Sequence, residues 1–168
     1  MATYTSTPAE LVTSTMERPS SAKRSAVILL VEDDFGDQIL IQEALQASPL
    51  LKRIEIVADG EQALEYLCRV GRYADAALAP RPDLILLDLN MPRLGGKEVA
   101  AKLKADPLLR SIPIVAFTTS CRDEDVALCY SIGVNSYVQK HTDFDRLQSV
   151  LQHLERYWLE ICQRPPRP

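Results

Sequence analysis

The sequence predicts an α/β protein: one doubly wound (βα)5 domain with a parallel sheet in the strand order 2-1-3-4-5 and an extended C-terminal helix. Three observations predict it. Short runs of consecutive large apolar residues, such as Leu84-Ile85-Leu86-Leu87, have the composition of strands buried on both faces. Stretches of helical period alternate with them five times over, which requires crossover connections and hence parallel pairing. The apolar runs also end in carboxylates, a hydroxyl and a lysine, where a buried strand would otherwise end in a neutral turn.

In chain order, residues 1–24 are rich in Thr, Ser, Ala and Pro and read as a flexible N-terminal tail. The domain is expected over residues 25–162, with a short C-terminal tail at 163–168. The first strand is Ala26-Val27-Ile28-Leu29-Leu30-Val31, followed by the acids Glu32-Asp33-Asp34. A helix is expected over 35–47, its inward stripe formed by Phe35, Ile39, Leu40, Ala44 and Leu45. Ile54-Glu55-Ile56-Val57 is the second strand. Gly60 opens a helix that turns Ala63, Leu64 and Leu67 inward.

A long loop over 70–82 leads to the third strand, which ends in Asp88-Leu89-Asn90-Met91-Pro92. Gly95-Gly96 closes that loop and a helix follows over 97–105. Ile114-Val115-Ala116-Phe117 is the fourth strand, ending in Thr118-Thr119-Ser120. A helix over 123–132 stops at Gly133. The fifth strand is expected over 134–138, ending in Gln139-Lys140, and the last helix runs from 143 to about 162.

Bulk composition narrows the function. The chain has 168 residues, 46% of them hydrophobic and 25% charged, which suits one globular domain with short tails. A domain of roughly 135 residues buries about two-thirds of its unfolded surface, enough for its own core. The net charge of −4 argues against nucleic acid or an anionic membrane as partner. No apolar run approaches the ~18 residues of a membrane span, and no secretory leader is read at the N-terminus. Cys68, Cys121, Cys129 and Cys162 are scattered, without metal-ligand or disulfide spacing, so a reducing cytoplasm is expected.

The strand ends carry the chemistry. In a 2-1-3-4-5 sheet the first and third strands are neighbours at the switch point, so Glu32, Asp33 and Asp88 converge there. Alone, Asp88 reads equally well as a turn cap. Together, three carboxylates repel one another, and the site must take up a proton or a cation. All-oxygen ligands in a partly wet cleft favour Mg2+. An aspartate beside Mg2+ can be a nucleophile in phosphoryl transfer. Thr118 and Lys140 arrive at the same edge, where a hydroxyl and an ammonium neutralise a phosphoryl group. Singly, Thr118 is a strand-end turn former and Lys140 a surface lysine; their shared location favours the functional reading.

With these residues in place, positions 26 to about 161 resemble a response-regulator receiver domain, the phosphoacceptor half of two-component signalling. The residues that carry the resemblance are Glu32-Asp33, Asp88 with Met91-Pro92 and Gly96, Thr118 and Lys140. The resemblance implies a flavodoxin-like fold and phosphorylation of Asp88 by a histidine kinase. It implies direct Mg2+ ligation by Asp33, Asp88 and the backbone carbonyl of Asn90, with Glu32 acting through water. It also implies a switch in which Thr118 moves toward the phosphoryl group and Tyr137 turns inward, changing the surface of helix four, strand five and helix five. Such a protein promotes only its own phosphorylation and dephosphorylation.

His141 departs from the pattern, which has proline after the lysine; a cis bond there would cost roughly 2.5–4 kcal/mol, so a trans bond and a rearranged loop are expected. His141 itself reads as a solvated loop residue.

Few residues follow Cys162, and the expectation is output through the domain's own surface. Phe144, Leu147, Leu151, Leu154, Trp158 and Ile161 form a helical stripe, widened by Val150 and Tyr157. A helix of about 20 residues is about 30 Å long and outruns a strand of under ~20 Å. Tyr157, Trp158 and Ile161 are therefore expected to overhang the sheet and pack in a homodimer. The Tyr157-Trp158-Leu159-Glu160 ending, the 70–82 loop and Val134-Asn135-Ser136-Tyr137 further resemble the small single-domain regulators paired with phytochrome-type histidine kinases in cyanobacteria.

Two other classes fit less well. A Mg2+-dependent aspartyl-phosphate hydrolase would carry a second Asp two positions after the nucleophile, where this chain has Asn90, which cannot act as a general acid. A flavodoxin-like FMN carrier would need a Gly-rich hydroxyl loop after the first strand, where three acids would repel a phosphate.

Overall fold

A computed structural model describes residues 25–165, and the expected tail over 1–24 lies outside the described residues. Five parallel strands stand in the order β2-β1-β3-β4-β5: β1 Ala26–Val31, β2 Lys52–Val57, β3 Leu84–Leu87, β4 Ile114–Thr118 and β5 Ser136–Gln139. Between them run α1 Phe35–Gln46, α2 Gly60–Cys68, α3 Gly96–Ala105 and α4 Asp123–Ile132, with α5 Phe144–Glu155 after β5. The predicted topology is the one observed.

The strands alternate their side chains between two cores, as a pleat requires. Leu29, Val31, Ile85, Leu87, Ile114 and Ala116 face α2, α3 and α4, where Ala63, Tyr66, Val99, Leu103 and Cys129 meet them. Ile28, Leu30, Leu84, Leu86, Val115 and Phe117 face α1 and α5, packing on Ile41, Ala44, Leu45, Leu147 and Leu151. Central strands sandwiched in this way are apolar along their length, and β1, β3 and β4 are fully buried, with Thr118 at the end of β4 the polar exception. The edge strand β2 begins two residues earlier than predicted, at Lys52, because backbone pairing with β1 does not depend on a polar side chain. Expected strand residue Val134 lies outside β5; it is a buried plug that donates to the Cys129 carbonyl after Gly133, whose φ of 102° ends α4.

Helix α1 corrects the predicted stripe. Ile41, Ala44 and Leu45 are buried, whereas Phe35, Ile39 and Leu40 are 72%, 47% and 41% exposed. Ile39-Leu40-Ile41 are consecutive apolar residues, so apolarity alone admits two faces, and packing on the sheet selects the one through Ile41.

The last helix is long, as expected, but changes type: after Glu155 the chain continues as a π-helical segment over Arg156–Ile161, with Cys162 N–H bonded to the Tyr157 carbonyl at 2.9 Å. Tyr157 and Ile161 are exposed. Trp158 departs from the expected overhang: it packs, partly buried, against the core under α5. Because α5 runs antiparallel to the strands, its end reaches their amino-terminal edge rather than empty solvent. There the tail folds back and Arg164 pairs with buried Asp83 at 3.3 Å, so part of the expected C-terminal tail is packed. Lys52 and Glu155, both buried, form an ion pair at 2.8 Å that ties β2 to the end of α5.

Candidate functional site

Strand register assembles the site at the carboxyl edge of the sheet. Val31 stands opposite Leu87, so Glu32 and Asp88 leave their strands at the same level, and the Asp88 amide donates to the Val31 carbonyl at 3.0 Å. Thr118 stands opposite Gln139, and the Lys140 amide donates to the Thr118 carbonyl at 2.8 Å. The turn after Asp88 needs a close approach by α3. A methyl group on Gly96 would run into the Asp88 carbonyl oxygen and stand 2.8 Å from Leu89 Cα.

The ammonium of Lys140 is the centre of the cluster. Its side chain is only 6% exposed, and Nζ donates to Glu32 Oε2 at 2.5 Å, Asp37 Oδ2 at 2.8 Å and Asp88 Oδ2 at 3.0 Å. Burial alone disfavours the charge on Lys140, but the hydrogen bonds to Asp37 and Glu32 and the charges of Glu32 and Asp88 outweigh it and hold its pKa above the usual lysine value. Glu32 is 1% exposed, and burial, with a contribution from the charge of Asp88, pushes its carboxyl up to about 7 despite the Lys140 hydrogen bond. The two shifts have different origins: the carboxylates around Lys140 hold its ammonium charged against burial, whereas burial dominates at Glu32 and the Lys140 hydrogen bond offsets it only in part.

Glu32, Asp33 and Asp88 each offer a carboxylate oxygen within 4.8 Å of the others. Unit charges at that separation repel by about 3.5 kcal/mol at an effective dielectric constant of ~20. Asp33 is exposed while Glu32 and Asp88 are buried, so the cleft is open to solvent on one side. Three oxygen donors, an unrelieved charge and a wet opening fit a hard divalent cation. Asn90 follows in the loop; its amide donates to Asp88 Oδ1 at 3.2 Å, and its side-chain Nδ2 donates to Thr118 Oγ1 at 3.4 Å. Thr118 is fully buried beneath this edge.

Tyr137 lies beside the site. It is partly buried against the α2–α4 core, and its hydroxyl donates to the Ser120 carbonyl at 3.1 Å. Ser120 is itself held: its hydroxyl donates to Asp125, which pairs with Lys97 at 2.5 Å, and these two partners keep the Asp125 carboxyl below its ordinary pKa. Tyr157, Trp158 and Ile161 belong to the opposite end of the molecule and contribute nothing to the cleft. The Lys140–His141 bond is trans, as there is no cis peptide among the described residues. His141 is half-buried. Asp37 was not legible as a site residue. An acid in the first turn of a helix already has a reason to be there, and its partner lies 103 positions away.

A sheet whose switch point holds an acid cluster bonded to a single lysine, flanked by a buried strand-end threonine, defines the receiver class of signalling proteins. The chain belongs to the response regulator receiver domain family, whose model matches residues 28–152. It is 42% identical over 139 residues to the response regulator Rcp1 of Synechocystis sp., a match covering 83% of this chain and 92% of that protein. Among solved structures it is similar to the phosphorylated cyanobacterial phytochrome response regulator RcpA, with a TM-score of 0.79 and 41% identity over 84% of this chain and 99% of that one. The Mn2+-bound form of Rcp1 gives a TM-score of 0.77 at 41% identity, with the same coverage. Among the described residues, no helix is long and apolar enough to cross a membrane.

Proposed function

We propose that Asp88 accepts a phosphoryl group from a histidine kinase and that the domain, residues 25–162, relays the signal by a change of surface. The observation that carries this reading is the placement of the Lys140 ammonium 3.0 Å from Asp88 Oδ2, with Glu32 on the same nitrogen. In the transfer, an Asp88 carboxylate oxygen attacks phosphorus and a P–O bond forms. The P–N bond to the kinase imidazole breaks, and that nitrogen takes up a proton. Mg2+, held by Asp33, Asp88 and the Asn90 backbone carbonyl with Glu32 acting through water, would neutralise phosphoryl oxygens in the cleft. Lys140 shields the same oxygens from the other side, and Thr118 offers its hydroxyl when drawn up.

The hydrogen bond from the Tyr137 hydroxyl to the Ser120 carbonyl supports a switch in which phosphorylation shifts the population of Tyr137 and Thr118 positions rather than building a new fold. The output surface is α4–β5–α5. Among the described residues its edge strand has no partner on the outer side, and Leu128 and Tyr130 on α4 are 45% and 53% exposed.

The kinase is proposed to be phytochrome-type, supported by the likeness to RcpA, a phytochrome response regulator. A homodimer through Tyr157, Trp158 and Ile161 in the cytoplasm is part of the proposal; the exposure of Tyr157 and Ile161 in the π-helical segment supports the interface, although Trp158 is partly buried against the core. Incubation with phosphoramidate and Mg2+ followed by intact mass measurement tests the phosphoacceptor reading. A gain of one phosphoryl group, absent with EDTA and absent in Asp88→Asn, supports it; no gain in the wild type rejects it. Turnover of a model phosphate ester would instead favour a hydrolase.

A further inference from the structure

We infer that Asp37 is a positioning residue for Lys140 in phosphoryl transfer, fixing the ammonium while its other anchors change. The inference rests on Asp88 being the phosphoacceptor. Lys140 has three N–H donors, and each carboxylate takes one: Glu32, Asp37 and Asp88. These anchors do not survive the reaction equally. Asp88 becomes an acyl phosphate and gives up its full charge. Glu32 belongs to the cation-ready trio with Asp33 and Asp88, so a bound metal draws on it. Asp37 stands outside that trio, on α1, and its charge is untouched by transfer.

Its location suits a fixed post. The Asp37 amide is capped by Asp34 Oδ1 at 2.9 Å, which anchors the first turn of α1 beneath the carboxylate. The side chain is 37% exposed, so it reaches Nζ from the mouth of the cleft, while Glu32 reaches it from the buried side. Held from two sides, the ammonium presents its remaining donor to whatever oxygen replaces that of Asp88. Without Asp37, the four-carbon stem of Lys140 is free to pivot on Glu32 alone.

The test uses the full chain with phosphoramidate as donor at saturating Mg2+, comparing wild type with Asp37→Asn, Asp37→Ala and Asp37→Glu. Loss of one charge-assisted hydrogen bond predicts a fall of about tenfold in the maximal rate of Asp88 phosphorylation for Asn and Ala. The half-saturating donor concentration should stay within about twofold, because the contact is exercised on the transferring group rather than on donor binding. Asp37→Glu should recover most of the rate. Near-isosteric Asp37→Asn, with its thermal midpoint measured alongside, separates lost positioning from lost folding. A maximal rate for Asp37→Asn within twofold of wild type overturns the inference, as does a glutamate variant as slow as the alanine one. Failure of the wild type itself to take up phosphate would reject the phosphoacceptor reading instead.

Discussion

The backbone amide of Lys140 donates to the carbonyl of Thr118 at 2.8 Å, so the lysine leaves its strand one residue past Gln139, the register partner of Thr118. The convergence of ammonium and hydroxyl is a property of register: a slip of one residue would send one of them to the opposite face of the sheet.

Replacing Lys140 with methionine leaves Glu32 and Asp88 buried without their cation. Breaking a buried pair from one side costs about 3–5 kcal/mol, so the metal-free protein should lose stability on that scale at pH 8. Added Mg2+ should restore more stability to the variant than to the wild type, because metal and ammonium compete for the same charge. Thermal midpoints with and without Mg2+ check this; equal Mg2+ shifts in both proteins would contradict it.

Glu32 sets a pH dependence. Its folded-state pKa, raised from 4.5 to about 7 chiefly by burial, means the fold favours the protonated acid. The sign follows from linkage: this group's stabilising contribution is complete below about pH 4.5 and is lost as pH rises through about 7. A cation must displace that proton at low pH, so the apparent affinity for Mg2+ should rise between pH 5 and pH 8, with proton release on binding. Calorimetric titrations in two buffers of different ionisation enthalpy measure both. A flat affinity with no proton release would be the contrary result.

The two faces of α1 should separate cleanly on truncation. Ile41→Ala removes a side chain that is 1% exposed and should cost about 2–4 kcal/mol in denaturant unfolding. Phe35→Ala, at a position 72% exposed, should change stability by less than about 0.5 kcal/mol. A large cost at Phe35 would mean that α1 is rotated from the orientation described.

Gly96→Ala should destabilise by about 1–3 kcal/mol and slow phosphoryl uptake together, because the new methyl presses on the Asp88 carbonyl and Leu89. Urea midpoints and phosphorylation rates of the variant test the pairing of the two effects; unchanged kinetics in a destabilised variant would separate the turn from the site.

These cases also mark what sequence can reveal. Strand β1 and helix α4 were legible to the residue, because a fully apolar run bounded by acids and a helix bounded by Asp123 and Gly133 each have both ends written in local chemistry. Glu32, Asp33, Asp88, Thr118 and Lys140 were legible because topology converts strand ends into neighbours. The orientation of α1 was not, since three apolar residues in succession define no single face. The π-helical segment after Glu155 was hidden too, because an apolar period carries no mark of a change from i+4 to i+5 bonding, and Trp158 consequently sits on the core rather than beyond it. Asp37 was concealed by ordinariness.

Phosphorylation of Asp88 is tested most directly by trapping the phosphorylated residue chemically. After incubation with phosphoramidate and Mg2+, borohydride reduction converts an acyl phosphate of aspartate to homoserine, which peptide mass mapping then locates. The expected result is homoserine at position 88 alone, dependent on Mg2+. Reduction at Asp33 or at any other acid, with position 88 unmodified, would contradict the account.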